Sequence, residues 1–250
     1  MRNAQITLVD VTGRQWDLNT CSEPVRVVQG GLPELYGKAE TRTVDGRAVG
    51  TGRALPGGGM LTVGFYPTAG VDLNRVRAEF RAGWSHTECC HLTVVTTVAA
   101  TARVRLADDA ALPPRETLAR GVFDTLDITL AWDDGVWLVP QAEEGPKVTI
   151  MNGGMVDIRP GIHWRRGGTV TLHSGYTFTL PTVPEPRVLW LDRDRGFPVE
   201  DMGGERDSEL TSRLWGSVRE ECVPAGQQRT LTVPEGAHVA WNDGVAEPWR

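Results

Sequence analysis

His86, Cys89, Cys90 and His91 stand close together and carry the side chains that bind soft metals. A tetrahedral zinc site takes ligand pairs about two to four residues apart, with a second pair elsewhere in the chain. Cys89 and Cys90 are adjacent, so in a strand they point to opposite faces and cannot share one ion. No second pair follows them. The stretch is therefore expected to be a strand holding one buried and one exposed cysteine. Asp192 and Asp194 place two alternating carboxylates around Arg193. Calcium takes about six to eight oxygens, which no loop here supplies. Arg193 and Arg195 would also repel a cation, so this stretch reads as a charged turn.

Paired acids occur at Asp108-Asp109, Asp133-Asp134, Glu143-Glu144 and Glu220-Glu221. Glycoside hydrolysis needs two carboxyls facing each other across a cleft, in environments that separate their pKa values. Adjacency in sequence does not supply that geometry, and all four pairs lie in turn or linker contexts, so solvated surface is expected. Ser174 has no Gly-x-Ser-x-Gly elbow around it. The run Pro56-Gly57-Gly58-Gly59 has no lysine or helix after it, so it is no phosphate loop; it reads as a hairpin tip. The nine tryptophans would suit a sugar platform, but Trp132, Trp164, Trp190 and Trp241 fall in strand patterns and are expected in the core. No catalytic, cofactor-binding or metal residue is assigned, no cofactor is named, and the chain reads as a protein that is not an enzyme. Its function is expected to lie in its surfaces.

Those surfaces are carried by a globular chain. It has 250 residues, 40% hydrophobic and 23% charged, with a net charge of −6. That length suits one large domain or two ordinary ones. Neither half carries a basic excess, which argues against a sequence-specific nucleic-acid binder. The start, MRNAQITLVDVTGR, lacks the apolar core of a signal peptide, so synthesis in the cytoplasm is expected. The longest uncharged run, Cys89 to Ala102, is too short to span a bilayer. The four cysteines follow no disulfide framework and read as free thiols. Arginine outnumbers lysine (only Lys38 and Lys147), the mark of GC-rich coding seen in actinobacteria and their viruses.

Glycine and proline are plentiful and scattered, as in a chain of many short strands. Gln5–Val11 and Gln15–Leu18 flank Thr12-Gly13-Arg14 as a hairpin. Asp45-Gly46 between Arg42–Val44 and Arg47–Val49 carries a strong type I′ turn signal. Met60–Tyr66, His91–Val98 and Thr101–Leu106 read as strands. In Thr125–Trp132, Leu126, Ile128, Leu130 and Trp132 alternate with polar residues, giving one buried and one wet face. A helix is predicted from Leu73 to Ala82, capped by Asp72 and ended by Gly83. A second candidate covers 207–220. Residues 141–146 are polar and turn-prone and read as a linker. They separate an N-terminal β domain, 1–140, from a run of short strands over 147–250 that suggests a sandwich. The fold class is all-β, with one or two short helices.

The order of these features resembles the distal tail proteins (Dit) of long-tailed siphophages, the minor tail proteins of actinobacteriophages. The resemblance rests on Gln15-Trp16-Asp17-Leu18, Gly31-Leu32-Pro33, the Asp45-Gly46 hairpin, the single helix, and Leu126–Trp132 running into Asp-Asp-Gly-Val-Trp. It continues through Ile150-Met151-Asn152-Gly153-Gly154, Arg159-Pro160-Gly161-Ile162, and Val223-Pro224-Ala225-Gly226 before a last strand. Asn152, Gly154 and Pro160 fit the family's Asn-x-Gly-Asp and proline opening, with Met155 where the acid stands. Pro224 and Gly226 fit its closing turn, with Gln228 in place of asparagine.

The resemblance implies a virion protein of the phage tail tip, assembled in the host cytoplasm. A ring-forming N-terminal domain would be decorated by a galectin-like sandwich, in which Gly153 and Gly154 enter through positive φ, Pro160 ends an edge strand and Trp164 fills the core. It implies a hexameric ring of copies of the chain, joining the tail tube protein to the baseplate hub, with the tape measure and other minor tail proteins as further neighbours. Contacts would be made by Pro56–Met60, the Asp45-Gly46 hairpin and the helix from Leu73 to Ala82. DNA would pass through the opening, which the mild negative charge would not obstruct. No membrane partner is implied. The alternative is a carbohydrate-binding module for host wall sugar, which exposed, coplanar tryptophans in the second domain would favour.

Overall fold

The computed structural model describes residues 4–32, 35, 38–108 and 123–249. These form 18 strands and two short helices, and divide into two compact units. The first comprises 1–49, 54–138 and 245–250; the second comprises 50–53 and 139–244. The chain is all-β in class, as its alternation of side chains predicts.

In the first unit, β1 (Gln5–Val9) and β2 (Gln15–Asp17) form the expected hairpin, with Leu8 opposite Trp16. β3 (Val25–Val27) follows. β4 (Lys38–Val44) and β5 (Arg47–Leu55) form a separate two-stranded ribbon. Asp45 and Gly46, at φ 49 and 75, make the two-residue turn whose mirror-image backbone suits a twisted hairpin. β6 (Gly57–Phe65), α1 (Leu73–Ala82), β7 (Cys90–Val95), β8 (Ala99–Leu106) and β9 (Asp124–Trp132) complete the main layer. The pairing runs β2-β1-β7-β8-β9-β6-β3, antiparallel throughout. The ends meet again, because the Val27 amide donates to the Leu18 carbonyl at 2.8 Å.

The interior of this curled sheet holds Leu61, Val63 and Phe65 from β6 and Leu126, Ile128, Leu130 and Trp132 from β9, all at most 1% exposed. α1 starts where expected: the Asp72 carboxylate accepts from the amides of Asn74 and Arg75. Its Phe80 lies edge-on to Trp16, Phe65 and Trp84 at 5.1, 5.9 and 6.0 Å.

Pro56–Gly59 is not a hairpin tip. Gly57, Gly58 and Gly59 are the first residues of β6 and stand opposite Trp132, Ala131 and Leu130 of β9. A Cβ on Gly58 would stand 2.8 Å from the Leu130 carbonyl oxygen, so glycine is required here by close strand approach. Residues 141–146, expected as a linker, contain the end of β10 (Trp137–Glu144) and its turn into β11 (Lys147–Met151). Their polar side chains suit an exposed strand end as well as they suit a linker.

The second unit is a sandwich of two sheets. The remaining elements are β12 (Gly161–Trp164), β13 (Gly168–Thr171), β14 (Thr177–Leu180), β15 (Arg187–Trp190), β16 (Val199–Asp201), α2 (Ser208–Leu214), β17 (Gln228–Thr232) and β18 (His238–Val245). One sheet is β11-β17-β13-β14; the other runs β16-β15-β12-β18 and on to β10. Ile150, Ile162, Val170, Leu189, Leu231 and Val239, each fully buried, fill the space between them. Trp164 joins this core at 2% exposed and donates its indole hydrogen to the Pro181 carbonyl at 2.8 Å. α2 is capped by Asp207 and ends at Leu214, shorter than the 207–220 pattern suggests.

The opening of this unit differs from expectation. Met155–Ile158, whose alternating apolar residues place it in the expected run of short strands, is not a strand; Ile158 alone makes a bridge, to Val223. Gly153 and Gly154 do not have positive φ. Gly154 is needed for close approach, since a Cβ would stand 2.6 Å from the Gly244 carbonyl oxygen. Pro160 does not end an edge strand. It precedes β12, which pairs on both sides with β15 and β18, and a proline tolerates the position before a strand because no ladder donor is needed there. The hub of the stretch is Asn152, 1% exposed. Its Nδ2 donates to the carbonyls of Val156 and Val223 at 2.8 and 2.7 Å, and its Oδ1 accepts from the Gly154 amide at 2.9 Å.

Candidate interaction surfaces

The metal-type residues are dispersed by the strand geometry. Cys90 is fully buried, its thiol 3.4 Å from the Gly83 carbonyl, and burial pushes that thiol up to about 12. Cys89, just before β7, is half-buried and His91 is exposed, both on the side opposite the buried Cys90. His86 places its Nδ1 3.0 Å from the Ala107 carbonyl. Among the described residues, no group of three or more His, Cys, Asp or Glu side chains is placed to hold a metal ion.

The acid pairs are mostly taken up by arginines. Arg105 reaches both Asp133 oxygens, at 2.9 and 3.1 Å, and Arg103 holds Asp134 at 2.8 Å. Asp108 also pairs with Arg105, and Asp109 lies outside the described residues. Glu143 and Glu144 are exposed at the end of β10. Glu220 pairs with Arg159 at 3.4 Å. Glu221 departs from the expected solvated surface. It is 7% exposed, accepts from the His173 amide at 3.1 Å, and burial pushes its carboxyl above the usual range. Asp192 organises its own turn, accepting from the Asp194 amide at 3.0 Å, and pairs with Arg159 at 3.6 Å. Ser174 sits in the β13–β14 turn and accepts from the Tyr176 amide. Among the tryptophans of the second unit, Trp164 and Trp241 are buried, Trp190 is half-buried, and Trp215 is 59% exposed.

Among the described residues, two surfaces stand out. The first is the β4–β5 ribbon, exposed over all of residues 41–50. The second is a groove of about 490 Å³ walled by Ile6, Val28, Leu35, Trp137, Pro248 and Trp249. Trp249 is 41% exposed. The ribbon is legible in the sequence through its turn; the groove is not, because its walls come from distant segments. A signal for the ribbon face was present in the repeat Arg-x-Val-Asp-Gly-Arg-x-Val, 42–49.

No protein-family model matches the sequence, and no curated protein matches it. Solved structures do match. The Dit protein of phage SPP1, described as a paradigm of the hub adsorption apparatus in phages infecting Gram-positive bacteria, superposes with a TM-score of 0.52 at 11% identity. The match covers 97% of this chain and 99% of that one. A chain of the phage P2 baseplate in its activated conformation with calcium gives 0.54 at 12% identity, covering 99% and 100%. The strontium form of that baseplate gives 0.53 at 12%, covering 96% and 98%. The fold is that of a phage distal tail protein. The distal tail fold thus extends over both units, from the β1–β2 hairpin to β18.

Proposed function

We propose that this chain is a structural component of the phage tail tip, located in the virion, where copies of it form a ring, a hexamer as the family resemblance implies. The ring joins the tail tube to the baseplate hub and the host-adhesion apparatus. The observation that carries this reading is the end-to-end match to SPP1 Dit, with 97% of this chain and 99% of that one covered. The exposed ribbon supports it. A two-stranded hairpin is marginal in water by itself, so a ribbon this open is suited to being covered by a partner.

The domain roles follow. The first unit, with its ribbon and α1, makes the ring; the second unit, as a galectin-like sandwich, decorates it. The exposed face of α1 is a second contact element. Neighbours would be the tail tube protein, the hub protein, the tape measure and other minor tail proteins. Negative-stain electron microscopy of the purified protein tests the ring. Rings of related subunits are expected, and immunogold labelling should place the protein at the tail end away from the capsid. Label distributed along the tube, or on the capsid, would overturn the reading.

The carbohydrate-binding alternative has less support. It calls for exposed tryptophans side by side in the second unit, and there Trp215 alone is largely exposed. Binding of wall glycans by the full chain, lost in Trp215→Ala, would restore it.

A further inference from the structure

The β4–β5 ribbon lacks the parts that normally keep a hairpin folded. Its two strands pair with each other and, among the described residues, with no third strand, and every residue from 41 to 50 is exposed. A lone two-stranded hairpin is marginal in water. The order of the ribbon must therefore be supplied at its root, and β5 shows how. Residues 50–53 of that strand group with the second unit.

Gly52 is the centre of the root. Its φ of +76 breaks the extended course of β5, at a backbone angle that a side chain would strain. Its carbonyl accepts from the Asp157 amide at 2.8 Å. The Asp157 carboxylate occupies the place where a side chain on residue 52 would stand, so that a Cβ there would overlap both of its oxygens. The Cys222 thiol donates to the same carboxylate at 3.2 Å. Arg53 pairs with Asp194, but both side chains are more than half exposed, so this pair contributes little. The hold rests on the close backbone approach at Gly52.

We propose that the Gly52–Asp157 contact is a clasp that keeps the ribbon folded. Closed, it fixes the root of β5, and the two strands stay paired. Opened, the segment from Thr41 to Gly50 frays as an isolated hairpin does. A surface held ready in this way loses less freedom when a partner covers it. The inference concerns the free chain and does not depend on the ring reading above.

The test is hydrogen exchange in the full-length protein, followed by mass spectrometry in residues 41–50 and in β9, together with iodoacetamide labelling of Cys222. In wild type, 41–50 should exchange about tenfold or more slowly than a synthetic peptide of the same sequence. Gly52→Ala should erase most of that protection while β9 keeps its own. It should also speed Cys222 labelling about threefold or more, because the displaced carboxylate no longer holds the thiol proton. Asp157→Ala alone should leave the ribbon within about threefold of wild type, since the backbone hydrogen bond remains. In the double variant the added methyl finds room where the carboxylate stood, so ribbon protection should return, a recovery that general misfolding would not give. The clasp is overturned if 41–50 in wild type exchanges as fast as the synthetic peptide, if Gly52→Ala leaves its rate unchanged, or if the double variant stays as loose as Gly52→Ala. None of these results bears on the ring, which electron microscopy decides separately.

Discussion

Trp16 donates its indole hydrogen to Asp10 at 2.8 Å, and that carboxylate is the pin of the β1–β2 turn. The other Asp10 oxygen accepts from the Thr12 amide at 2.9 Å, the Thr12 hydroxyl at 2.6 Å and the Arg14 amide at 3.1 Å. Asp10 is 5% exposed. Burial by itself would raise its pKa, but the hydrogen bonds from Thr12, Trp16 and Arg14 outweigh it and hold the carboxyl below the usual range. Asp10→Ala strands four donors and should cost about 2–4 kcal/mol in urea unfolding. The pH dependence has a definite sign. The folded pKa lies below the unfolded one, so the contribution is complete above the ordinary value of 3.8 and is lost as pH falls through the folded value. The difference between wild type and Asp10→Ala should therefore be largest near pH 7 and narrow in strong acid.

The same carboxylate dictates the residue that ends α1. Gly83 has an ordinary φ of −78, so it is not there for backbone freedom. A Cβ on it would stand 2.7 Å from both Cβ and Cγ of Asp10. Gly83→Ala should therefore destabilise the protein by about 1–3 kcal/mol through overpacking, although alanine is the better helix former. A thermal melt that rises in this variant would refute the contact.

His163 and His238 stand opposite each other on β12 and β18, stacked at 4.4 Å with their planes 15° apart. Burial, and then the neighbouring His238, lower the His163 pKa from 6.5 to about 4. Among the described residues no other charge acts on it: Glu200, on the same sheet, is engaged by the Trp190 indole at 2.7 Å and by Arg195. The folded pKa is depressed, so the neutral ring is favoured and its contribution is complete above about pH 6.5. Between 6.5 and about 4 the unfolded chain takes up a proton that the folded chain refuses, and stability falls. The loss should be about 1–2 kcal/mol, allowing for solvent at a half-buried ring. Chemical denaturation at pH 7.5 and 4.5 checks it: His163→Val should remove most of the decline in that window, and an equally steep decline in the variant would show that other groups cause it.

Much of this fold was legible because single side chains state their environment. The alternation Leu126, Ile128, Leu130, Trp132 gives β9 and its buried face directly, and Asp72 marks the start of α1 by the hydrogen bonds it must accept. What escaped depends on partners distant in sequence. Gly57–Gly59 have no side chains to alternate, and only their register against β9 shows that they are strand. Gln141–Glu144 are polar because that end of β10 is exposed, a composition shared with linkers. Asn152 fits an opening motif in the sequence, but only the fold shows that its bond to Val223 ties together segments 71 residues apart. The groove needs Ile6, Val28, Trp137 and Trp249 in one place, which no local pattern predicts.

The four thiols should react in an order set by their surroundings. Cys21 is exposed. Burial pushes Cys89 upward, and it pushes Cys90 and Cys222 up to about 12; at Cys222 the adjacent Asp157 carboxylate, which accepts from the thiol at 3.2 Å, adds to the effect. Thiolate is the reactive form, so at pH 8 a maleimide should label Cys21 first and Cys89 slowly. Cys90, closed in by β1, β8 and the end of α1, should react only as fast as the first unit opens. Peptide mapping by mass spectrometry after timed labelling separates the four sites. Labelling of Cys90 at the rate of Cys21 in native buffer would mean that β7 does not pack as described. In about 6 M guanidinium all four should react together, because a chain without fixed structure offers each thiol the same solvent and nearly the same pKa.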